Sequence, residues 1–281
     1  METSHRTVAD ELRARIKDGS LRPGARMPTQ ARLADEFGVE RGTVRQALKI
    51  LQEERLLTHV TRGAPATVAD VATRAVRPPQ STMVALATRM DAAFAAHHVA
   101  VDALCLKSAS LNLALSEPIR GIHAGRIKPA RVTVRVLLPS RDIDLAFPTP
   151  VADGTDARLH RDWLDQRNAQ GQVLRGNLLA LRASHGIDVT VEFRALPFTP
   201  PVKLYLLNGV EALFGYYLID RREGEFDHEP LEMYDTQGTQ SLLFPFAQGA
   251  GVRDATFVEQ SQLWFDAIWN TISLPLSLAA G

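Results

Sequence analysis

The chain has 281 residues, 45% hydrophobic and 23% charged, long for one compact domain and apolar enough for two cores. The formal net charge is zero, but Met1–Arg77 holds 14 Lys and Arg against 10 Asp and Glu, a net of +4 that the remainder offsets. Such a basic head on an acidic body suits a head that binds nucleic acid. The single cysteine, Cys105, excludes an intrachain disulfide framework. METSHRTVADELR has no apolar signal core, and no segment offers the roughly 20 apolar residues needed to span a bilayer. The expected location is therefore cytoplasmic.

Val8, Leu12 and Ile16 recur at helical spacing ahead of Gly19, which predicts a first helix over residues 7–18. Leu21-Arg22-Pro23-Gly24 is turn chemistry, and Thr29 after Pro28 is placed to cap a second helix carrying Leu33, Ala34 and Phe37. Gly38-Val39 makes the turn to a third helix, where Val44, Ala47, Leu48 and Leu51 form one apolar stripe. Turning that stripe inward leaves Arg41, Thr43, Arg45, Gln46 and Lys49 on the outer side. An exposed basic helix end of this kind fits a DNA major groove. Leu56–Val60 and Ala66–Val68 then read as two strands across a tip at Thr61-Arg62-Gly63, with Arg62 suited to a narrow minor groove. The order is that of a winged helix-turn-helix.

VATRAVRPPQS over residues 71–81 has no apolar period and contains Pro78-Pro79, so it reads as a linker. Beyond it the pattern predicts helices over residues 82–97, 108–124, 159–185 and 255–272. Strands are predicted over 101–106, 131–138 and 188–196, with a pair over 202–207 and 211–219 turning at Asn208-Gly209. The expected fold is α+β: a winged helix-turn-helix over 1–70, the linker, and an α/β domain over 82–281 with a mixed, partly parallel sheet. The acidic run Glu223–Glu232 reads as a solvated loop. Ligands of such sheets lie beyond the carboxyl ends of parallel strands. That places a pocket near Leu106–Ser108, Leu138–Arg141 and Leu196–Phe198, with Lys107 and Arg141 facing an anionic group.

Ile16-Lys17-Asp18-Gly19, Leu21-Arg22-Pro23-Gly24, Met27-Pro28-Thr29, Leu33-Ala34, Phe37-Gly38-Val39, and Arg41 with Thr43-Val44-Arg45-Gln46-Ala47-Leu48 together resemble the DNA-binding domain of the GntR family of bacterial transcriptional regulators. The resemblance covers about the first 70 residues. It implies a homodimer on a palindromic double-stranded operator, with the third helix in the major groove and the wing tip in the minor groove. Carried over by position, Arg41, Thr43 and Arg45 contact bases and phosphates, and Arg62 with Gly63 makes the wing contact. Thr29 and Arg32, at the start of the second helix, join the expected DNA-facing set. Three positions depart from the family pattern: Glu40 stands where Ser or Thr is usual, Gly42 where a small hydroxyl residue is usual, and Ala31 where Arg is usual.

Lys203, Asn208 and Gly215 reproduce the interval of the H-x-K-x4-D-x6-G-S motif, so the second half also resembles the phospholipase D superfamily. The reactive groups do not carry over: the motif His is Pro201, the Asp is Asn208 and the Ser is Tyr216. A phosphoenzyme route needs an activated nucleophile, so a degenerate relative is expected and a DNA-tethered phosphodiesterase or nuclease is the disfavoured alternative. The histidines lack metal spacing, and Ser110, Ser184 and Ser241 lack a nucleophile-elbow frame. No metal, cofactor or enzymatic activity is expected. The expected function is a transcriptional regulator whose C-terminal domain binds a small-molecule effector, with Lys107, Arg141 and Lys203 as candidate ligand contacts.

Overall fold

The computed structural model describes residues 4–22, 24–54, 56–58, 66–68, 78–152 and 156–279. The chain divides into two compact units, Met1–Val76 and Arg77–Gly281.

In the first unit α1 (His5–Lys17) starts at Ser4, whose Oγ accepts from Thr7 N at 3.3 Å. Thr29 caps α2 (Gln30–Phe37) in the same way, its Oγ1 accepting from Arg32 N at 3.3 Å. Each cap satisfies an amide that the first helical turn leaves without a partner. Helix α2 ends at Gly38, whose φ of 62° lies in the left-handed region that glycine adopts without strain. This reversal aims α3 (Arg41–Glu53) away from α2. Val8, Leu12, Leu33, Val44, Ala47, Leu48 and Leu51 close over one core, in which the predicted stripe of α3 is fully internal. The wing strands β1 (Leu57–Thr58) and β2 (Thr67–Val68) pair antiparallel, and Val68 and Leu57 extend the core. Arg13 on α1 reaches Glu54 beyond α3 through two bonds of 2.6 and 2.8 Å. The wing tip, with Arg62 and Gly63, lies outside the described residues.

The second unit is built on an eight-stranded sheet in the order β13-β7-β5-β4-β8-β9-β12-β3. Strands β4 (His98–Leu104), β5 (Arg131–Pro139) and β7 (Asp188–Leu196) are parallel. Antiparallel pairs add β8 (Val202–Leu207), β9 (Glu211–Tyr216), β12 (Leu242–Ala247) and β3 (Gln80–Ser81), with β13 (Leu274–Pro275) on β7. The mixed, partly parallel sheet is the one expected from the sequence. Residues alternate between its faces. Val132, Val134, Val136 and Leu138 of β5 pack in the core that also takes α4 (Thr82–Phe94), α5 (Ala109–His123) and α6 (Ala157–His185). Leu137 turns to the opposite face, under Val258, Phe265, Ile268 and Trp269 of α7 (Val252–Asn270). Among the described residues no helix is long and apolar enough to cross a membrane.

Two expectations fail in this unit. Gln80 and Ser81, read as linker, are strand β3, paired with Leu243 and Leu242 of β12. Thr82 Oγ1 donates to Ser241 O at 2.8 Å and fixes this entry. Two residues are too few for an alternation to show, and Pro78-Pro79 masked them; residues 71–77 lie outside the described residues. The acidic run, read as a loop, is most of a hairpin formed by β10 (Ile219–Phe226) and β11 (Glu229–Thr236). Strand β11 also pairs with the short β6 (Thr149–Pro150). The hairpin is mostly exposed, with Met233 buried and Phe226 and Met233 closing over Gly224; Arg221 pairs with Glu232, and Arg222 lies 3.5 Å from Asp235. Asp227 and His228 turn it at φ of 53° and 67°.

Candidate nucleic-acid interface

Burial of Val44, Ala47, Leu48 and Leu51 fixes the rotation of α3. Arg41, Arg45, Gln46 and Lys49 are left exposed and Thr43 half-buried. Arg41 and Arg45 are four residues apart, hence on one face and one turn apart. Among the described residues neither guanidinium is in an ion pair, whereas Lys49 lies 3.7 Å from Glu53. Exposed cations without protein partners at the start of a helix are free to meet phosphate oxygens or guanine edges. Glu40 makes no side-chain cap, as expected from the loss of a hydroxyl at that position. Gly42 has open space where a Cβ would stand, so no contact among the described residues requires glycine there. Thr29 and Arg32 are exposed, but the Thr29 hydroxyl already caps α2. Arg26 was not singled out from the sequence. It is exposed, and its backbone bridges to Thr67 of the wing. A pairing between the loop before α2 and the wing leaves no local pattern to read.

Among the described residues no hydrogen bond joins the three cations proposed as ligand contacts to one another. Lys107 follows β4 and donates to Gln166 Oε1 of α6 at 2.8 Å; burial holds its ammonium below the ordinary lysine value. Arg141 follows β5 and lines a cavity of about 380 Å³. Lys203 on β8 is 1% exposed, and its three N–H donors go to Thr82 Oγ1 at 3.1 Å, Ser241 Oγ at 2.6 Å and Gly238 O. The other residues of the phospholipase-like interval have local structural reasons. Asn208 Oδ1 accepts from Ala100 N at 2.8 Å while its Nδ2 donates to Ala93 O at 3.0 Å, and Asn208 and Gly209 take the positive φ values of a hairpin turn. A Cβ at Gly215 would lie 2.5 Å from Leu242 O, so glycine lets β12 close on β9. Burial pushes the Cys105 thiol up to about 12, which leaves it without thiolate character.

Burial also brings Lys203 down to about 8 from its ordinary 10.5. Unfolding returns the amine to water, so between pH 8 and 10.5 the unfolded chain binds more protons than the folded one. The Lys203 contribution to stability therefore rises with pH across that window. Lys203 is expected to contribute about 2 kcal/mol of stability between about pH 8 and about pH 10, read as the difference in pH response between the parent and Lys203→Met. The buried Cys105 thiol, held at about 12, acts in the opposite sense from about pH 9, and the buried Tyr205 and Tyr217, held well above 10, do so at higher pH; all three are present in both proteins. Urea midpoints of the two proteins check this; an equal pH response contradicts it.

The geometry defines the head as a winged helix-turn-helix with an exposed basic face on α3. Residues 4–66 match the family described as bacterial regulatory proteins, gntR family, so the head is a gntR-type domain. The mannosyl-D-glycerate transport/metabolism system repressor MngR of Escherichia coli K12 is 46% identical over 56 residues, 20% of this chain and 23% of that protein. The HTH-type transcriptional repressor NagR of Bacillus subtilis 168 is 42% identical over 50 residues, 18% of this chain and 21% of that protein. The matches thus span under a quarter of these relatives. Among solved structures, the N-terminal domain of AraR in complex with mutant ORR3 is similar at 33% identity, covering 25% of this chain and 97% of that one, with a TM-score of 0.23.

Proposed function

We propose that this protein is a cytoplasmic, non-enzymatic transcriptional regulator that binds a palindromic operator as a homodimer under control of a small-molecule effector. The observation that carries the reading is the pair Arg41 and Arg45, exposed and, among the described residues, without ion-pair partners on the outer face of α3 in a gntR-type core. Thr43 and Gln46 supply hydrogen-bonding groups beside them, and Lys49 extends the basic face along the helix. Arg62 and Gly63 of the wing are assigned to the minor groove. Both curated relatives of the head are named repressors, which supports a role in transcription. Two heads on one dimer bring two α3 helices to half-sites about one DNA turn apart or a multiple of it.

The C-terminal unit is assigned the effector and the dimer contact. A head of this size folds around its own core, so the larger unit serves another purpose. An effector changes operator affinity only by its difference in affinity for the binding-competent and incompetent arrangements; a tenfold change needs about 1.4 kcal/mol of that difference. The test is selection of bound duplexes from a random library by the purified full chain. Enrichment of an inverted repeat is the expected result, and no enrichment contradicts the reading.

A further inference from the structure

The cavity beside Arg141 lies at the carboxyl end of β5 and the start of α6, and its volume is in the range of small-ligand sites. Its wall is apolar at Leu145, Pro148 and Leu159 and charged at Arg141 and Asp144. Both of those charged side chains are exposed, and among the described residues neither is hydrogen-bonded or ion-paired, to the other or to anything else. The other acidic groups of the wall are engaged. Asp156 accepts from Arg158 N at 2.8 Å and pairs with its guanidinium at 2.9 Å, and Asp142 accepts from Ser140 Oγ at 3.3 Å. His160 lines the same cavity and its Nε2 lies 2.9 Å from Arg141 O. A carbonyl only accepts, so the proton is on Nε2, and this bond ties the Arg141 backbone to α6. Arg141 is also close enough to the buried Arg167 guanidinium to repel it.

Two opposite charges that line one cavity and do not neutralise each other match a ligand carrying both signs. We propose that this cavity binds a zwitterionic small molecule, an α-amino acid or close analogue, with its carboxylate on Arg141 and its ammonium on Asp144. The carboxylate meets a guanidinium fork, the geometry that favours paired hydrogen bonds, and it offsets the repulsion between Arg141 and Arg167. The apolar wall receives the ligand side chain. Control of operator affinity by this ligand rests on the regulator reading above; binding in the cavity does not.

The proteinogenic α-amino acids serve as probes, titrated one by one into the full chain by calorimetry. At least one is expected to bind. Its hydroxy-acid analogue, lacking the ammonium, and its amine analogue, lacking the carboxylate, are each expected to bind at least about tenfold more weakly. Arg141→Gln and Asp144→Asn should each weaken the hit by at least about tenfold, with Tm unchanged because both side chains are exposed. Binding to none of the probes overturns the proposal, as does a hit that survives both substitutions or does not distinguish the analogues. A hit that meets these criteria and leaves operator affinity unchanged upholds the cavity and rejects effector control. A hit on a chain that binds no DNA upholds the cavity and rejects the regulator reading.

Discussion

Asp102→Ala is expected to lower the stability of the C-terminal unit by about 3 kcal/mol, measured as a fall in the urea midpoint at unchanged m-value. Asp102 and Arg135 are register partners on the parallel strands β4 and β5, joined by bonds of 2.7 and 2.6 Å. Asp102 is 6% exposed. Arg135 also reaches Asp266 of α7 at 2.7 Å, and its guanidinium stacks over Phe265 at 5.1 Å and Trp269 at 5.4 Å. Gln262 Nε2 donates to Asp102 Oδ2 at 2.9 Å. Removing Asp102 leaves the guanidinium with one carboxylate and Gln262 without its best acceptor. The loss falls at the lower end for broken buried pairs because Asp266 stays. Replacing both partners, Asp102→Leu with Arg135→Met, is expected to recover most of it, since an apolar pair has no desolvation to offset. A single variant within about 1 kcal/mol of the parent would show that this network does not hold α7 on the sheet.

Arg45→Ala is expected to weaken operator binding by about 1–3 kcal/mol, roughly 5- to 150-fold. The Arg45 side chain points away from the stripe of Val44, Ala47, Leu48 and Leu51, so its removal leaves the core intact. Alanine is also a good helix former, and the head should fold unchanged. Lys49 provides the contrast. It is exposed and 3.7 Å from Glu53, so Lys49→Ala should act through a phosphate contact, lowering the salt slope by about 1 with little change in sequence preference. Fluorescence anisotropy at several salt concentrations separates the two. Equal affinity for Arg45→Ala and the parent would move the contact face off this side of α3.

The head was legible because each of its parts is a local rule. The stripe of α3, the cap at Thr29 and the reversal at Gly38 follow from residues within a turn or two of one another, and each stands where the pattern put it. The central strands were legible for the same reason, through the alternation of Val132, Val134 and Val136 or Val189, Val191 and Phe193. What was missed depends on partners distant in sequence. Strand β3 exists because Gln80 and Ser81 meet Leu243 and Leu242, and the β10–β11 hairpin is held by its backbone ladder and by Met233 and Phe226, whose contacts over Gly224 join residues on opposite strands. Lys203 was singled out by the phospholipase-like interval it shares with Asn208 and Gly215. Its ammonium joins Thr82, Gly238 and Ser241 at the entry of α4, a set of partners far apart in sequence. Asp144 and His160 were missed because a cavity wall drawn from two loops and a helix start leaves no spacing to read.

The most direct measurement is the random-duplex selection carried out in parallel with the full chain and with an Arg41→Ala, Arg45→Ala double variant. The parent is expected to enrich an inverted repeat, and the variant, folded to the same Tm, to enrich none. No enrichment by the parent, or the same repeat recovered with the variant, would contradict recognition of DNA through the outer face of α3.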